Sequence, residues 1–224
     1  MDLKLSIRLN EKLFLRDPES SELGRRIMKH GIELIHKLGF EAFTFKKLAE
    51  EIKTTEASIY RYFENKHRLL LYIITLYWSY LEYQVIFRIN NMTDAETKIR
   101  CVIDLLSSEL DDSLGTLDFD KTSLYAIVIS ESSKAYLSKD VDNNNEAQLF
   151  KPYKDLCNRI AMLFSAHNAA YLYPRSLAST VIEAAHFQYF FASHLPRLTD
   201  LKDNQGETTV RKFLEHLVFS ALAK

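Results

Sequence analysis

One stretch of twenty-four residues, Thr44 to His67 (TFKKLAEEIKTTEASIYRYFENKH), constrains this chain more than any other. Phe45, Leu48, Ala49 and Ile52 recur at i, i+3, i+4 and i+7, which is one face of an α-helix. After a three-residue break, Ile59 and Phe63 stand one turn apart on a second short helix. Thr44 and Thr55 sit where a side-chain hydroxyl can accept from an orphan backbone N–H and cap each helix. Helices of about two turns do not stand alone in water, so both must dock on a larger body. Short helix, tight turn, short helix is the helix-turn-helix plan, whose second helix enters the DNA major groove.

The same residues resemble the DNA-binding motif of the TetR/AcrR-type one-component regulators. The resemblance is carried by Thr44, Leu48, Ala49, Ile52, Thr55, Ala57, Ser58, Ile59, Tyr60, Tyr62, Phe63, Asn65, Lys66 and Leu69, with Gly39 and Phe40 ahead of them. It covers roughly residues 23–70, and beyond that rests on helix count and length. It implies an all-α chain of about nine helices, with an N-terminal three-helix DNA-binding domain and a C-terminal helical bundle. Three positions depart from the pattern. Lys53 stands at the turn where Gly is usual, and a position needing φ > 0 costs a non-Gly residue about 1 kcal/mol. The turn is therefore either strained or differently shaped. Thr54 replaces a buried aliphatic residue, and His67 replaces an acid.

Composition agrees with a helical globule. An apolar fraction of 47% over 224 residues is ample for a core and excludes a disordered chain. Five glycines and four prolines leave few breaks. The net charge of −1 excludes a polycation, but its distribution is uneven. Residues 1–68 carry 14 Lys and Arg against 11 Asp and Glu, whereas the remainder carries 15 against 19. The excess positive charge thus lies with the motif, as a DNA-facing end requires. Cys101 and Cys157 have neither metal-ligand nor disulfide spacing, which fits a reducing cytoplasm. The N-terminus lacks the apolar core of a signal peptide. The apolar run Leu69–Leu81 is too short for a bilayer span and reads as a buried helix, so no membrane partner is expected.

Three regions follow: an N-terminal arm over 1–16, a helix-turn-helix domain over 17–65, and a ligand-binding and dimerisation domain over 66–224. In the arm, Leu3, Leu5, Ile7 and Leu9 alternate with polar residues, and Leu13 and Leu15 resume after Asn10-Glu11, which reads as a short β-hairpin. Its Lys4, Arg8, Lys12 and Arg16 either form a solvated strand face or touch DNA. Asp17-Pro18-Glu19 reads as the start of a helix running to about Leu38, with Leu23, Ile27, Leu34, Ile35 and Leu38 inward, Gly31 at a close contact, and Gly39 as C-cap. A long helix is expected from Lys66 to about Ile89, then helices near 94–110, 121–138, 146–167, 174–195 and 207–222. Pro152 should kink or restart the 146–167 segment, and polar links fill 111–120, 139–145 and 199–206.

DNA binding needs phosphate contacts for position and base-edge contacts for sequence. On the recognition helix, Thr55 to Tyr62, the exposed candidates are Thr54, Thr55, Glu56, Ala57, Ser58, Arg61 and Tyr62. Ala57 and Ser58 are small enough for backbone to approach the groove floor. Arg61 either reads guanine or binds phosphate. Glu56 either accepts from cytosine or only favours the helix N-terminus. By resemblance, Tyr60 and Tyr62 bond phosphate through their phenols, the alternative being that one packs inside. Lys66 resembles the family's phosphate-binding lysine. Lys46 and Lys47 flank the first helix end, and Lys46 and the capping Thr44 join the DNA-binding candidates.

The second half is rich in aromatic residues, most of them expected in the core. The resemblance implies a small-molecule pocket there, with Tyr125, His167, Glu183, His186, Phe187 and Phe190 as candidates for an apolar or aromatic ligand. It also implies a four-helix dimer interface from the last two helices, assigned to Val181, Ala185, Phe213 and Leu217. No catalytic motif, metal site or cofactor is read from the chain. The reading is a homodimeric, cytoplasmic regulator that binds a double-stranded DNA operator and is released, as a repressor, by a small molecule. The rivals are a ligand-binding protein of the same fold without operator recognition, and an all-helical enzyme.

Overall fold

Caps and breaks written into the sequence set the helix boundaries. The computed structural model describes residues 7–108, 119–201 and 206–223. All regular structure among them is helical, in ten α-helices and three short 3-10 turns. The α-helices are α1 (Glu22–Leu38), α2 (Phe45–Glu51), α3 (Glu56–Tyr60), α4 (Lys66–Ile89), α5 (Ala95–Leu106), α6 (Lys121–Tyr136), α7 (Val141–Glu146), α8 (Lys151–His167), α9 (Pro174–His194) and α10 (Gly206–Leu222). The chain forms two compact units, Met1–Tyr80 with Leu110–Pro152, and Leu81–Glu109 with Tyr153–Lys224.

In the first unit the expected hairpin is replaced by a capped turn. Residues 3–6 lie outside the described residues, and no strand occurs from residue 7 onward. Instead Asn10 accepts from the Lys12 N–H and starts a 3-10 turn over Glu11–Leu13. Leu13 is fully buried, while Leu15 is 67% exposed and uses its N–H to bond the Tyr62 carbonyl at 2.8 Å. Among the described residues of the arm, Leu13 is a buried anchor and not part of a strand. Asp17 and Pro18 open a second 3-10 turn, Pro18–Ser20, and α1 begins only after Ser21, whose hydroxyl accepts from Gly24 N–H at 3.1 Å. A Cβ on Gly24 would lie 2.1 Å from the Pro18 carbonyl oxygen, so glycine is required there. Gly39 ends α1 at φ 76°. The inward face of α1 is Ile27, Met28, Gly31, Ile32 and Ile35; Leu23 and Leu34 are half-buried and Leu38 is exposed, one step off the expected set. Gly31 faces Leu69 of α4 and Leu48 of α2. Helix α6 packs along α1.

Helix α4 runs over the expected residues. By length and composition it is apolar enough to cross a membrane, but 78% of its most apolar window is buried inside the protein, as a core helix requires. Helix α7 occupies the stretch expected to be a polar link, and Pro152 falls in the first turn of α8, where its missing N–H has no cost.

The second unit is a helical bundle in which α10 packs on α9 and α5. Ile99, Val102, Ile103, Leu156, Ile160, Phe164, Val181, Ile182, Val210, Leu214 and Val218 form its core. Arg100 pairs with Glu215 at 3.2 Å and Arg211 with Asp104 at 3.0 Å, joining α5 to α10. Asn168 donates to the Leu222 carbonyl at 3.2 Å and fixes the end of α10.

Candidate nucleic-acid interface

The turn between α2 and α3 keeps the shape that a glycine would favour. Ile52 ends α2, Lys53 follows at φ 53°, and Thr54 donates its N–H to the Ala49 carbonyl at 2.9 Å. Lys53 N–H donates to the Glu50 carbonyl at 3.3 Å. This pair of bonds is the Schellman closure of a helix C-terminus, with lysine in the left-handed position. The turn is therefore strained, not differently shaped. The Arg26 guanidinium, on α1, donates to the Ile52 carbonyl and holds the turn from outside.

Both threonine caps form. Thr44 Oγ1 accepts from Lys47 N–H at 3.2 Å, and Thr55 Oγ1 accepts from Ser58 N–H at 3.2 Å while lying 2.8 Å from Ser58 Oγ. Phe45, Leu48, Ala49, Ile52, Ile59 and Phe63 are buried, so the two short helices lean on one core. Their other face carries Thr44, Lys46, Thr55, Ala57, Tyr60 and Arg61, all exposed, with Thr54, Glu56 and Ser58 half-buried. Lys46, Lys53 and Arg61 form no ion pair among the described residues. The surface thus offers hydroxyls, small side chains and uncompensated cations around a short helix, which is chemistry suited to phosphates and base edges.

Two expected contacts are placed differently. Tyr60 is 46% exposed, its ring edge-on to Phe45 at 5.0 Å, but Tyr62 is 2% exposed and its hydroxyl lies 2.7 Å from Ser21 Oγ. Tyr62 is the tyrosine that packs inside, because its ring closes the joint between α3 and the start of α1. Lys66 is half-buried, and its ammonium donates to the carbonyls of Phe40, Glu41 and Phe43 at 3.0, 3.1 and 3.2 Å. With all three protons used, it stitches the loop ahead of α2 to the start of α4. The same loop is held from α6: Glu131 accepts from Phe40 N–H at 3.2 Å, and Lys134 bridges Glu131 and Glu41 at 2.8 Å each. The Lys134 ammonium beside it holds the Glu41 carboxyl below its usual range. Sequence reasoning missed Arg26, Glu131 and Lys134. They act on backbone groups far along the chain, which no local pattern reveals.

Residues 27–73 match the family model for bacterial regulatory proteins of the tetR family. Through this segment, 47 of its 224 residues, the chain resembles that family. Its fold is similar to AibR in complex with isovaleryl coenzyme A and operator DNA, at 16% identity and TM-score 0.60, over 87% of this chain and 98% of that one. Apo AibR gives 16% identity and TM-score 0.54 over 86% and 96%. The fatty acid degradation regulator FadR from Bacillus halodurans gives 14% and 0.60 over 88% and 95%. No curated protein matches the sequence.

The ligand candidates are dispersed along the chain. Tyr125 is buried in the first unit, with its ring 6.2 Å from Tyr77. The other five lie in the second. His186 is 4% exposed, and burial pushes its pKa down to about 4, so the imidazole is neutral. Glu183 accepts from Tyr153 OH at 2.7 Å, and the His167 ring meets Phe219 edge-on at 5.7 Å. Phe190 lies 4.7 Å from the His194 ring, while Phe187 is 50% exposed and stacks on Phe191 at 5.8 Å. A groove of about 650 Å³ in this unit is lined by Asn158, Ala161, Met162, Leu172, Tyr173 and Arg175 among others, and by none of the six. Of the expected dimer residues, Val181 and Ala185 are buried within the protomer, so they cannot meet a partner chain directly. Phe213 is 37% exposed and Leu217 half-buried.

Proposed function

We propose that this protein is a homodimeric, cytoplasmic transcriptional regulator that holds an operator through α3 and acts as a repressor released by a small molecule. The observation that carries this reading is the helix-turn-helix itself: a Schellman-closed turn, two capped helices, and an outer face of hydroxyls and unpaired cations within the residues matched to the tetR family. Residues 17–65 make the DNA contacts, through Thr44, Lys46, Thr54 to Ser58, Tyr60 and Arg61. Residues 66–224 bind ligand and dimerise. Half-sites read by two such motifs lie about one helical turn apart, or a multiple of it.

Dimerisation uses the outward faces of α9 and α10, with Phe187, Phe213 and Leu217 at the seam. Large aromatic side chains this exposed on adjacent helices favour a partner surface. The ligand is small and apolar or aromatic, held in the second unit near His167, Glu183, His186 and Phe190. That a similar fold has been solved with isovaleryl coenzyme A and operator DNA supports a shared capacity for both partners. Ligand favours a dimer whose recognition helices are mis-spaced, so by linkage each partner weakens the other equally.

The test is selection of bound sequences from random duplex DNA by the full chain, followed by affinity against salt. A two-fold symmetric sequence with a steep salt slope is expected, together with a dimer in sedimentation that Phe187→Glu converts to monomer. Weak, sequence-independent binding would sink the operator reading, and a monomeric wild type would sink the dimer.

A further inference from the structure

We propose that Arg16, outside the helix-turn-helix, is a phosphate-contacting residue of the DNA interface. The inference rests on the operator-binding reading above and adds a residue that the motif does not contain. The arm before α1 is pinned at four points within the first unit. Asn10 donates to the Ala147 carbonyl at 2.8 Å. Leu13 is fully buried, and Phe14 meets the Tyr72 ring edge-on at 6.0 Å. Leu15 N–H donates to the carbonyl of Tyr62, two residues past the end of the recognition helix α3. The next residue, Arg16, places its guanidinium 5.3 Å from the Tyr62 ring centroid, over its face.

This geometry delivers an exposed cation to the Tyr62 ring just past the C-terminal end of α3, where the C-cap residue Arg61 is also exposed. Neither guanidinium has a carboxylate partner among the described residues. Asp17, next to Arg16, is engaged in accepting the Glu19 N–H at 2.9 Å. A helix seated in the major groove has a phosphodiester strand along each side, and a cation fixed just beyond its end stands over one of them. Tyr62 cannot supply that contact, because its hydroxyl is turned inward to Ser21. Arg16 lies over that ring and is itself exposed, and its bidentate fork suits a phosphate oxygen pair.

The experiment uses the full chain and the duplex recovered by selection, with three proteins: wild type, Arg16→Met and Arg16→Lys. Methionine keeps an unbranched stem over Tyr62 and removes the charge, whereas lysine keeps the charge. One phosphate contact is worth about 0.9 in the slope of log affinity against log salt, so a dimer on a full operator should lose about two. Arg16→Met should therefore bind roughly sixtyfold more weakly at 0.1 M salt, with the difference vanishing toward 1 M. Arg16→Lys should retain the wild-type slope, and all three should share one thermal midpoint. An unchanged slope in Arg16→Met overturns the proposal while leaving the operator reading intact. A loss that depends on the base pairs flanking the half-site also overturns it, in favour of groove readout. If wild type selects no sequence and shows no salt slope, the operator reading fails and this inference falls with it.

Discussion

Lys53 shows how one side chain can be tolerated against local preference. At φ 53° a β-carbon crowds the backbone, and the cost is about 1 kcal/mol, offset by the two hydrogen bonds that the left-handed position makes possible. The side chain is exposed and buries nothing. Lys53→Gly should therefore stabilise the protein by about 1 kcal/mol, raising the midpoint of thermal unfolding by about 2–4 °C; an unchanged or lower midpoint would mean the strain is relieved elsewhere. This strain was legible in the sequence as a dichotomy, because a lysine in the glycine slot allows only two outcomes. The burial of Tyr62 was not legible to the same degree. On the helix expected over Thr55 to Tyr62, two tyrosines separated by one residue differ in facing by about 200°, so one of them turns inward, but which one depends on Ser21, forty-one residues upstream.

Among the elements, those with long apolar periods were readable and those held by polar contacts were not. Helix α4 came out over its expected residues because its apolar character is continuous. Helix α7, with the sequence VDNNNE, has no apolar period and buries only Asn144, which accepts from the Arg68 guanidinium at 3.1 Å; nothing local announces such a helix. The arm was misread where it is described: at Asn10–Leu13 an asparagine-capped 3-10 turn stands where the leucine pattern suggested a hairpin. The loop between α1 and α2 is also held by polar contacts: it buries the Phe40 and Phe43 side chains, but its backbone is tied by Lys66 and Glu131, and its Glu41 by Lys134. Lys66→Met should remove three charge-assisted bonds to carbonyls and lower stability by about 2 kcal/mol. Denaturant unfolding measures this. A variant as stable as wild type would return Lys66 to the phosphate role that resemblance gave it.

At the scale of the whole molecule, His186 ties stability to pH. Its folded pKa is lowered from 6.5 to about 4 by burial, so the unfolded imidazole takes up a proton first as pH falls. The stability it allows is complete above pH 6.5 and is lost between 6.5 and 4. By pH 5 the loss from this group is about 2 kcal/mol. His186→Gln should flatten that part of the profile, measured as a smaller drop in unfolding free energy between pH 7.5 and pH 5. An equal drop in both proteins would place the titration elsewhere.

The first unit is assembled from two separated lengths of chain, and the ties of Asn10 to residue 147, Arg68 to residue 144 and Phe40 to residue 131 all cross that separation. Synthesis on the ribosome proceeds from the N-terminus at about 5–20 residues per second. The DNA-reading motif is therefore synthesised roughly 3–16 seconds before the residues that fasten it from α6, α7 and beyond. Until then the nascent motif has only its near ties, and a chain interrupted near Tyr80 would carry every matched residue of the motif, keep the bonds of Arg26 and Lys66, and lack those to Glu131, Asn144 and Ala147.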